Sequence, residues 1–232
     1  MKIMTYNILS CRRYPERVLD FSAPAKVIRE LDADVVGLNE VRDAGPSADY
    51  DAQTEILSEL CDMPHHYFAK AVDIDGENPY GNALISRIPL LSCETIRIPD
   101  PNPRTGKNYY ETRCLLKAKL AGDITVLVTH FGLNRDEQEN AVRTVLQHLA
   151  PERCILMGDF NIRPDNDLLL LLRERLKDAA DMFAQPLCSF PADAPDRKID
   201  YIFVTPDVEI VSADIPQIIS SDHCPHTVEV RL

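Results

Sequence analysis

Three observations predict an α/β fold. Short apolar runs of strand length recur along the chain and end in glycine or polar residues. Between them lie segments whose apolar residues fall on one helical face, as Ala141, Val142, Val145, Leu146 and Leu149 do. The first such segment joins two strand-like runs into a strand–helix–strand unit. Arg153 to Asn161 shows the pattern best: Cys154 to Met157 suits a strand buried on both faces, Gly158 ends it, and Asp159, Phe160 and Asn161 follow. Asp159 and Asn161 are two apart, so they point the same way in extended chain. Gly, Asp and Asn are also ordinary turn residues, and the rest of the chain must decide between turn and chemistry.

Composition narrows the class. A chain of 232 residues reads as one domain, residues 1–232, or two fused half-domains sharing a core. It is 45% hydrophobic, which excludes disorder, and no apolar run approaches the length of a membrane span. The N-terminus enters a strand-like pattern at once, so no signal peptide is expected. The seven cysteines are odd in number and show no CxxC spacing, which predicts reduced thiols and a cytoplasmic protein. Twenty-five basic residues against 37 acidic ones leave a net charge of −12, which repels a polyanion over most of the surface. Basic residues cluster only at Arg12-Arg13 and from Arg104 to Lys107, so duplex DNA is not the favoured substrate.

The elements follow in order. Lys2 to Leu9 suits a strand, with Asn7 at its end either as a turn residue or as an oxygen near a metal or phosphate. Ser22 is a helix cap with Pro24 in the first turn, and Val27, Ile28 and Leu31 form the apolar face. Val35 to Glu40 is a buried strand ending in a carboxylate, which belongs at a strand end or beside a cation. Gln53, Ile56, Leu57 and Leu60 mark a second helix. His65 and His66 point to opposite sides of the next strand and read as structural.

Tyr80 to Ser86 is another buried strand, with Asn82 as its polar member, and Leu91 to Ile98 is the next. Pro99 to Lys107 is a loop; Arg104, Lys107, Tyr109 and Tyr110 suit either a substrate loop or a solvated one. Tyr110 to Leu120 and Ile124 to Thr129 form a hairpin about Gly122-Asp123, with His130 at its end. Asn134 or Asp136 caps a helix whose first turns hold Asp136, Glu137 and Glu139, as the helix dipole prefers. After the central strand, a leucine-rich helix runs from Leu168 to Leu176 and reads as well buried. Lys198 to Val204, Val208 to Ser212 and His226 to Leu232 are the last strands, with Ser220 to His223 as a loop. The strand-rich pattern recurs in two halves divided near residue 120.

Asn7, Glu40, His130, Asp159, Asn161, Asp200, Asp222 and His223 each lie at the end of an apolar strand or just past it. Carboxylates and amides are the hard oxygen ligands that suit Mg²⁺ or Mn²⁺, and the histidines can move protons. The set resembles the endonuclease/exonuclease/phosphatase superfamily of DNase I-like hydrolases. The matching stretches are Met4 to Asn7, Leu38 to Val41, Gly81 to Arg87, Val128 to His130, Gly158 to Asn161, Ile199 to Phe203 and Ser221 to His223, in family order.

That resemblance implies a four-layer α/β sandwich, two mixed sheets face to face with helices outside, and hydrolysis of a phosphate ester with one or two Mg²⁺ or Mn²⁺ ions. It implies Glu40 as the principal metal ligand with Asn7 beside it, and Asp222 supporting the metal or the neighbouring histidine. Asp159 would orient or deprotonate water, and Asn161 would hold a phosphate oxygen. Asp200 would fix the tautomer of His223, and His130 would stabilise the transition state from the other side. Arg113 fits a weaker family position. Asn82, Arg113 and Tyr109 are the candidate substrate contacts.

A phosphate ester resists hydroxide because it is anionic, and a cation with aimed donors offsets that charge. The acidic chain without long insertions suggests a small or lipid-derived phosphoester, with DNA or RNA cleavage as the alternative. Two other readings are a non-catalytic binding domain on the same fold and a zinc site at His223-Cys224-Pro225-His226, which lacks a second ligand pair.

Overall fold

The structure, a computed structural model, describes residues 1–232. Two six-stranded mixed sheets carry most of it. The first contains β1 (Lys2–Asn7), β4 (Val35–Arg42), β5 (His65–Ile74), β6 (Asn78–Ser86), β13 (Glu209–Asp214) and β14 (His226–Arg231), in the order β13-β14-β1-β4-β6-β5. The second contains β7 (Leu90–Arg97), β8 (Cys114–Leu120), β9 (Ile124–His130), β10 (Cys154–Asp159), β11 (Lys177–Asp178) and β12 (Asp200–Val204), in the order β11-β12-β10-β9-β8-β7. A two-stranded ribbon, β2 (Arg12–Arg13) with β3 (Val18–Leu19), stands apart.

Each large sheet has one parallel pair, β1 with β4 and β9 with β10. Parallel neighbours need a crossover, and helices α1 (Ser22–Leu31) and α3 (Arg135–His148) supply it. Helices α2 (Gln53–Leu60) and α4 (Leu168–Arg173) complete the set. Side-chain alternation then sorts the core. Ile3, Val35, Leu84, Leu116, Val126, Val128, Ile155, Met157 and Ile202 meet between the sheets. Their neighbours Met4, Tyr6, Val36 and Leu38 pack on α1 and α2, and Leu127, Leu156 and Phe203 pack on α3 and α4. Strands covered on both faces carry unbroken apolar runs, which is why Cys154 to Met157 reads as it does. The four layers are those the family resemblance implies.

Four local expectations need correction. The division between sheets falls between Ser86 and Leu90, not near residue 120, and β13–β14 return to the first sheet. Strand patterns do not encode pairing partners, and β14 pairs antiparallel with β1 across nearly the whole chain. The strand expected from Tyr110 begins at Cys114, because residues before it bond elsewhere: Tyr110 and the Glu111 backbone to Asp136 and Glu137, and Thr112 to Asp100. Ser22 does not cap α1; the Asp20 carboxylate accepts from the Ser22 amide at 3.0 Å and hydroxyl at 2.6 Å. The leucine helix stops at Arg173, with Leu168, Leu169 and Leu172 buried while Leu170 and Leu171 are 58% and 43% exposed, since a helix packed on one side buries one face. At α3 the capping box is formed by Asn134 and Glu137.

All seven cysteines are free thiols, and no helix is long and apolar enough to cross a membrane.

Candidate active site

The alternation that builds the inter-sheet core also builds the site. Asn7 follows Ile3 at even spacing, Asn39 follows Val35, His130 follows Val128, Asp159 follows Met157, and Asp200 precedes Ile202. All five side chains therefore continue the inter-sheet face past its apolar part. Register sets them side by side: Asn7 is opposite Asn39 in the first sheet, and Asp159 is opposite both His130 and Asp200 in the second. Glu40 has the wrong parity for this face. A bulge between Leu38 and Val41 and a left-handed backbone at Glu40 (φ 56°) set it apart from the regular strand, and its side chain reaches Asn7. Asn161 is also left-handed (φ 51°).

The Asn7 amide donates to Glu40 Oε1 and to Asp159 Oδ2, each at 3.1 Å, while its oxygen accepts from the Leu9 backbone. His223 Nδ1 lies 2.8 Å from Asp200 Oδ2, and its Nε2 lies 3.6 Å from Asp159 Oδ2. His130 Nε2 approaches the same Asp159 oxygen at 3.5 Å. Asp159 and Asp200 are buried, and so are both imidazoles.

The electrostatics follow from that burial. Desolvation raises the Asp159 carboxyl, against the pull of His223. For His223, burial acts downward, but the carboxylates of Asp200 and Asp159 outweigh it and hold the ring protonated. His130 is pushed well below its ordinary value, by burial first and by the Arg113 guanidinium second, and is neutral. Arg113 Nη1 donates to His130 Nδ1 at 3.1 Å, so the ring proton of His130 sits on Nε2, towards Asp159. The Asn161 amide donates to the Phe131 carbonyl at 3.1 Å, which orients it beside His130 Nε2 at 3.2 Å.

The donor set fits a hard divalent cation. Glu40 and Asp159 converge on one amide nitrogen, Asp200 keeps a buried oxygen without a partner, and ligand atoms of Asp159, Asp200 and His223 lie within 4.8 Å of one another. Asp200 Oδ2 is committed to His223, which leaves Glu40, Asp159 and the free Asp200 Oδ1 as the carboxylate oxygens that could face an ion. Asn7 presents its N–H rather than its oxygen to them.

The remaining sequence candidates fall in different places. Arg113 joins the site, held by Glu111 at 2.5 Å and by His130. Asp222 is half-buried, accepts from the Ser221 hydroxyl at 3.2 Å and adds negative charge near His223; no hydrogen bond or ion pair joins it to Glu40 or Asn7. Asn82 is buried, accepts from Asn39 at 2.8 Å and donates to the Cys114 carbonyl at 3.0 Å inside the core. Tyr109 is 73% exposed on its loop. The zinc reading fails because Cys224 packs with Ala192 and Ile215 in a separate small core, while His223 faces Asp159 and Asp200.

Sequence reasoning passed over Asn39 and Tyr80. Asn39 donates to Asn82 and, at 2.9 Å, to the Thr129 carbonyl, and accepts from the Asp159 amide at 2.9 Å, so it ties the two sheets together beneath the site. The signal was a buried polar residue in an apolar strand, which must be bonded. Tyr80 stands between Glu40 and Arg113, its hydroxyl held well above the ordinary value by burial and then by the Glu40 charge. Nothing local distinguishes it from a core tyrosine.

Comparison with curated proteins gives no match. Among solved structures, an endonuclease/exonuclease/phosphatase from Beutenbergia cavernae DSM 12333 is 26% identical, with a TM-score of 0.83 over 100% of this chain and 71% of that one. The mannosyl-6-phosphatase of Bacteroides thetaiotaomicron VPI-5482 is 16% identical, with a TM-score of 0.75 over 100% of both chains. The human Nocturnin catalytic domain with bound sulfate anion is 18% identical, with a TM-score of 0.69 over 100% of this chain and 93% of that one. The last two share the fold. The model of the Endonuclease/Exonuclease/phosphatase family matches residues 4–223, from the strand that carries Asn7 to His223 itself, and the chain belongs to that family.

Proposed function

We propose that this protein is a Mg²⁺- or Mn²⁺-dependent hydrolase of phosphate esters, a phosphodiesterase or phosphatase acting on a small or lipid-derived substrate. One observation carries the reading: a buried His223–Asp200 pair at 2.8 Å whose other ring nitrogen faces Asp159, on the rim that also holds Glu40. The family generally hydrolyses phosphoesters, and a neighbour on the same fold is a mannosyl-6-phosphatase.

Glu40 and Asp159 would hold the cation, which offsets the charge of the phosphoryl group when bound. Asp159 orients the attacking water and takes its proton as the new P–O bond forms. Protonated His223 stabilises the charge growing on the phosphoryl oxygens, with Asp200 holding its ring in place. Asn161, locked by the Phe131 carbonyl, directs its amide at the same group. The ester P–O bond breaks and the leaving oxygen is protonated from solvent or from His223.

The charge distribution supports a small substrate. Arg12 is paired with Asp49, Arg13 with Glu16 and Asp20, and Arg113 with Glu111, which leaves no continuous basic track for a polyanion. Nucleic-acid cleavage is the second reading, favoured by the exposed loop that carries Arg104 and Lys107. A nuclease loses affinity steeply with salt, whereas a small-molecule enzyme loses little. Free thiols throughout support a reducing, cytoplasmic setting.

The test is hydrolysis of bis-p-nitrophenyl phosphate and p-nitrophenyl phosphate with Mg²⁺, Mn²⁺ or EDTA, with Asp159→Asn as control. Metal-dependent turnover that the variant lacks is expected, and the ester cleaved separates phosphodiesterase from phosphatase. No turnover of either ester with either metal removes the reading.

A further inference from the structure

One hydrogen bond of normal length holds the His223 ring. Its Nδ1 lies 2.8 Å from Asp200 Oδ2, while its Nε2 has Asn7 Nδ2 at 3.5 Å and Asp159 Oδ2 at 3.6 Å, both too long to fix that end. A ring hydrogen-bonded at one corner can rock about that bond, so its plane must be set by packing. The Phe190 ring supplies it, 4.7 Å from the His223 ring between centroids and tilted by 51°. That separation lies in the range where aromatic pairs attract beyond the apolar area they share.

The stretch from Ser189 to Ala192 grips both members of the His223–Asp200 pair. The Ala192 amide donates to the Asp222 carbonyl at 2.8 Å, and the Cys224 amide donates to the Ser189 carbonyl at 2.7 Å. These two bonds bracket His223 in sequence and set Phe190 against it. The hydroxyl of the buried Ser189 accepts from the Asp200 amide at 3.3 Å, so the same four residues hold the aspartate. Phe190 is held in turn by Arg197. Two backbone bonds of 3.0 Å join them, and the guanidinium stands 4.5 Å from the ring centroid. Phe190 is half-buried and joins none of the hydrophobic clusters of the molecule, so its ring serves the imidazole rather than a core.

We infer that Phe190 is a positioning residue, which fixes the plane of the His223 ring and excludes water from its bond to Asp200. Phe190 touches no reacting atom and acts through His223. The inference rests on the hydrolase reading for what His223 then does to a substrate, whereas the hold on the ring is a property of the free protein.

The test has two arms. In proton NMR of the metal-free wild type, His223 Nδ1–H should give a slowly exchanging, far-downfield signal, assigned by its loss in His223→Gln. Phe190→Leu and Phe190→Met keep apolar bulk and should lose that signal to solvent exchange, while Phe190→Tyr, which keeps the ring, should retain it. In steady-state hydrolysis of the reporter ester with Mg²⁺, the Leu and Met variants should lose about 10- to 100-fold in kcat, the size of a small misplacement of a catalytic group. KM should stay within about twofold, as for an interaction made in the transition state, and Phe190→Tyr should restore the rate. No such signal in the wild type, a signal that survives in the Leu and Met variants, a loss confined to KM, or unfolding of both variants would each overturn the inference. The expected NMR pattern without turnover of either reporter ester by the wild type would keep the hold on His223 and remove the hydrolase. Wild-type kcat in Phe190→Leu would remove Phe190 and keep the hydrolase.

Discussion

His223 Nδ1 lies 2.8 Å from Asp200 Oδ2, with both groups buried and Asp159 on the far side of the ring. An imidazole held between two carboxylates has one orientation and keeps its proton. Asp200→Asn removes the charge and leaves the shape. Turnover of the best reporter ester should fall about 100- to 10,000-fold, as loss of acid–base organisation does, with the circular dichroism spectrum unchanged. Wild-type turnover in that variant would remove the pair from the mechanism.

The same pair makes stability depend on pH in the metal-free protein. Burial opposes protonation of His223, but Asp200 and Asp159 together raise its pKa from 6.5 to about 10. A group that binds its proton more tightly when folded contributes stability that is fully present below pH 6.5 and lost as pH rises through about 10. Urea unfolding between pH 6 and pH 10 should show the wild type losing stability relative to Asp200→Asn. Parallel curves for the two proteins would contradict the assignment.

Glu40 is the half-buried carboxylate of the rim and accepts a bond only from Asn7. Millimolar Mg²⁺ should raise the melting temperature by about 3–10 °C, because an ion that binds only the folded site stabilises it. Glu40→Gln should abolish most of that shift while leaving the metal-free melting temperature close to the wild type. An equal shift in both proteins would place the ion elsewhere.

Asn39 joins the sheets through Asp159 N–H, the Thr129 carbonyl and Asn82 Oδ1. Asn39→Leu orphans all three in the core, at a cost on the order of 3 kcal/mol or more. A melting temperature lower by roughly 6–12 °C is expected for a chain of this size, and a change under a degree would show that these bonds are replaceable.

Gly158 has φ 146°, and a β-carbon there would fall on the Thr129 carbonyl oxygen of the adjacent parallel strand. Gly158→Ala should therefore destabilise by on the order of 3–5 kcal/mol, through strain and clash together. Soluble expression with an unaltered melting temperature would show that the strand end can shift.

The sequence alone determined which segments are strands and helices, that the sheets are covered on both faces, and that polar residues gather at strand ends. Those features are local. They depend on period, on turn chemistry and on the few ways an apolar strand can be terminated. Asp159, Asp200 and His223 were legible for that reason. The Gly-Asp-Phe-Asn and Ser-Asp-His stretches, read with the strand patterns around them, also carried the family resemblance and through it the four layers.

Tertiary structure decided what each polar side chain meets. Asn82 and Asn161 look alike in the sequence, yet one is spent inside the core and the other lies at the rim. Asn39 became an inter-sheet tie, and Asp20 rather than Ser22 closed the helix. The sheet boundary at Ser86–Leu90 and the contact of Phe190 with His223 were equally invisible. Strand period says which face a residue takes; only register and the opposing sheet say who its partner is, because partners can come from the two ends of the chain, as Lys2 and Glu229 do.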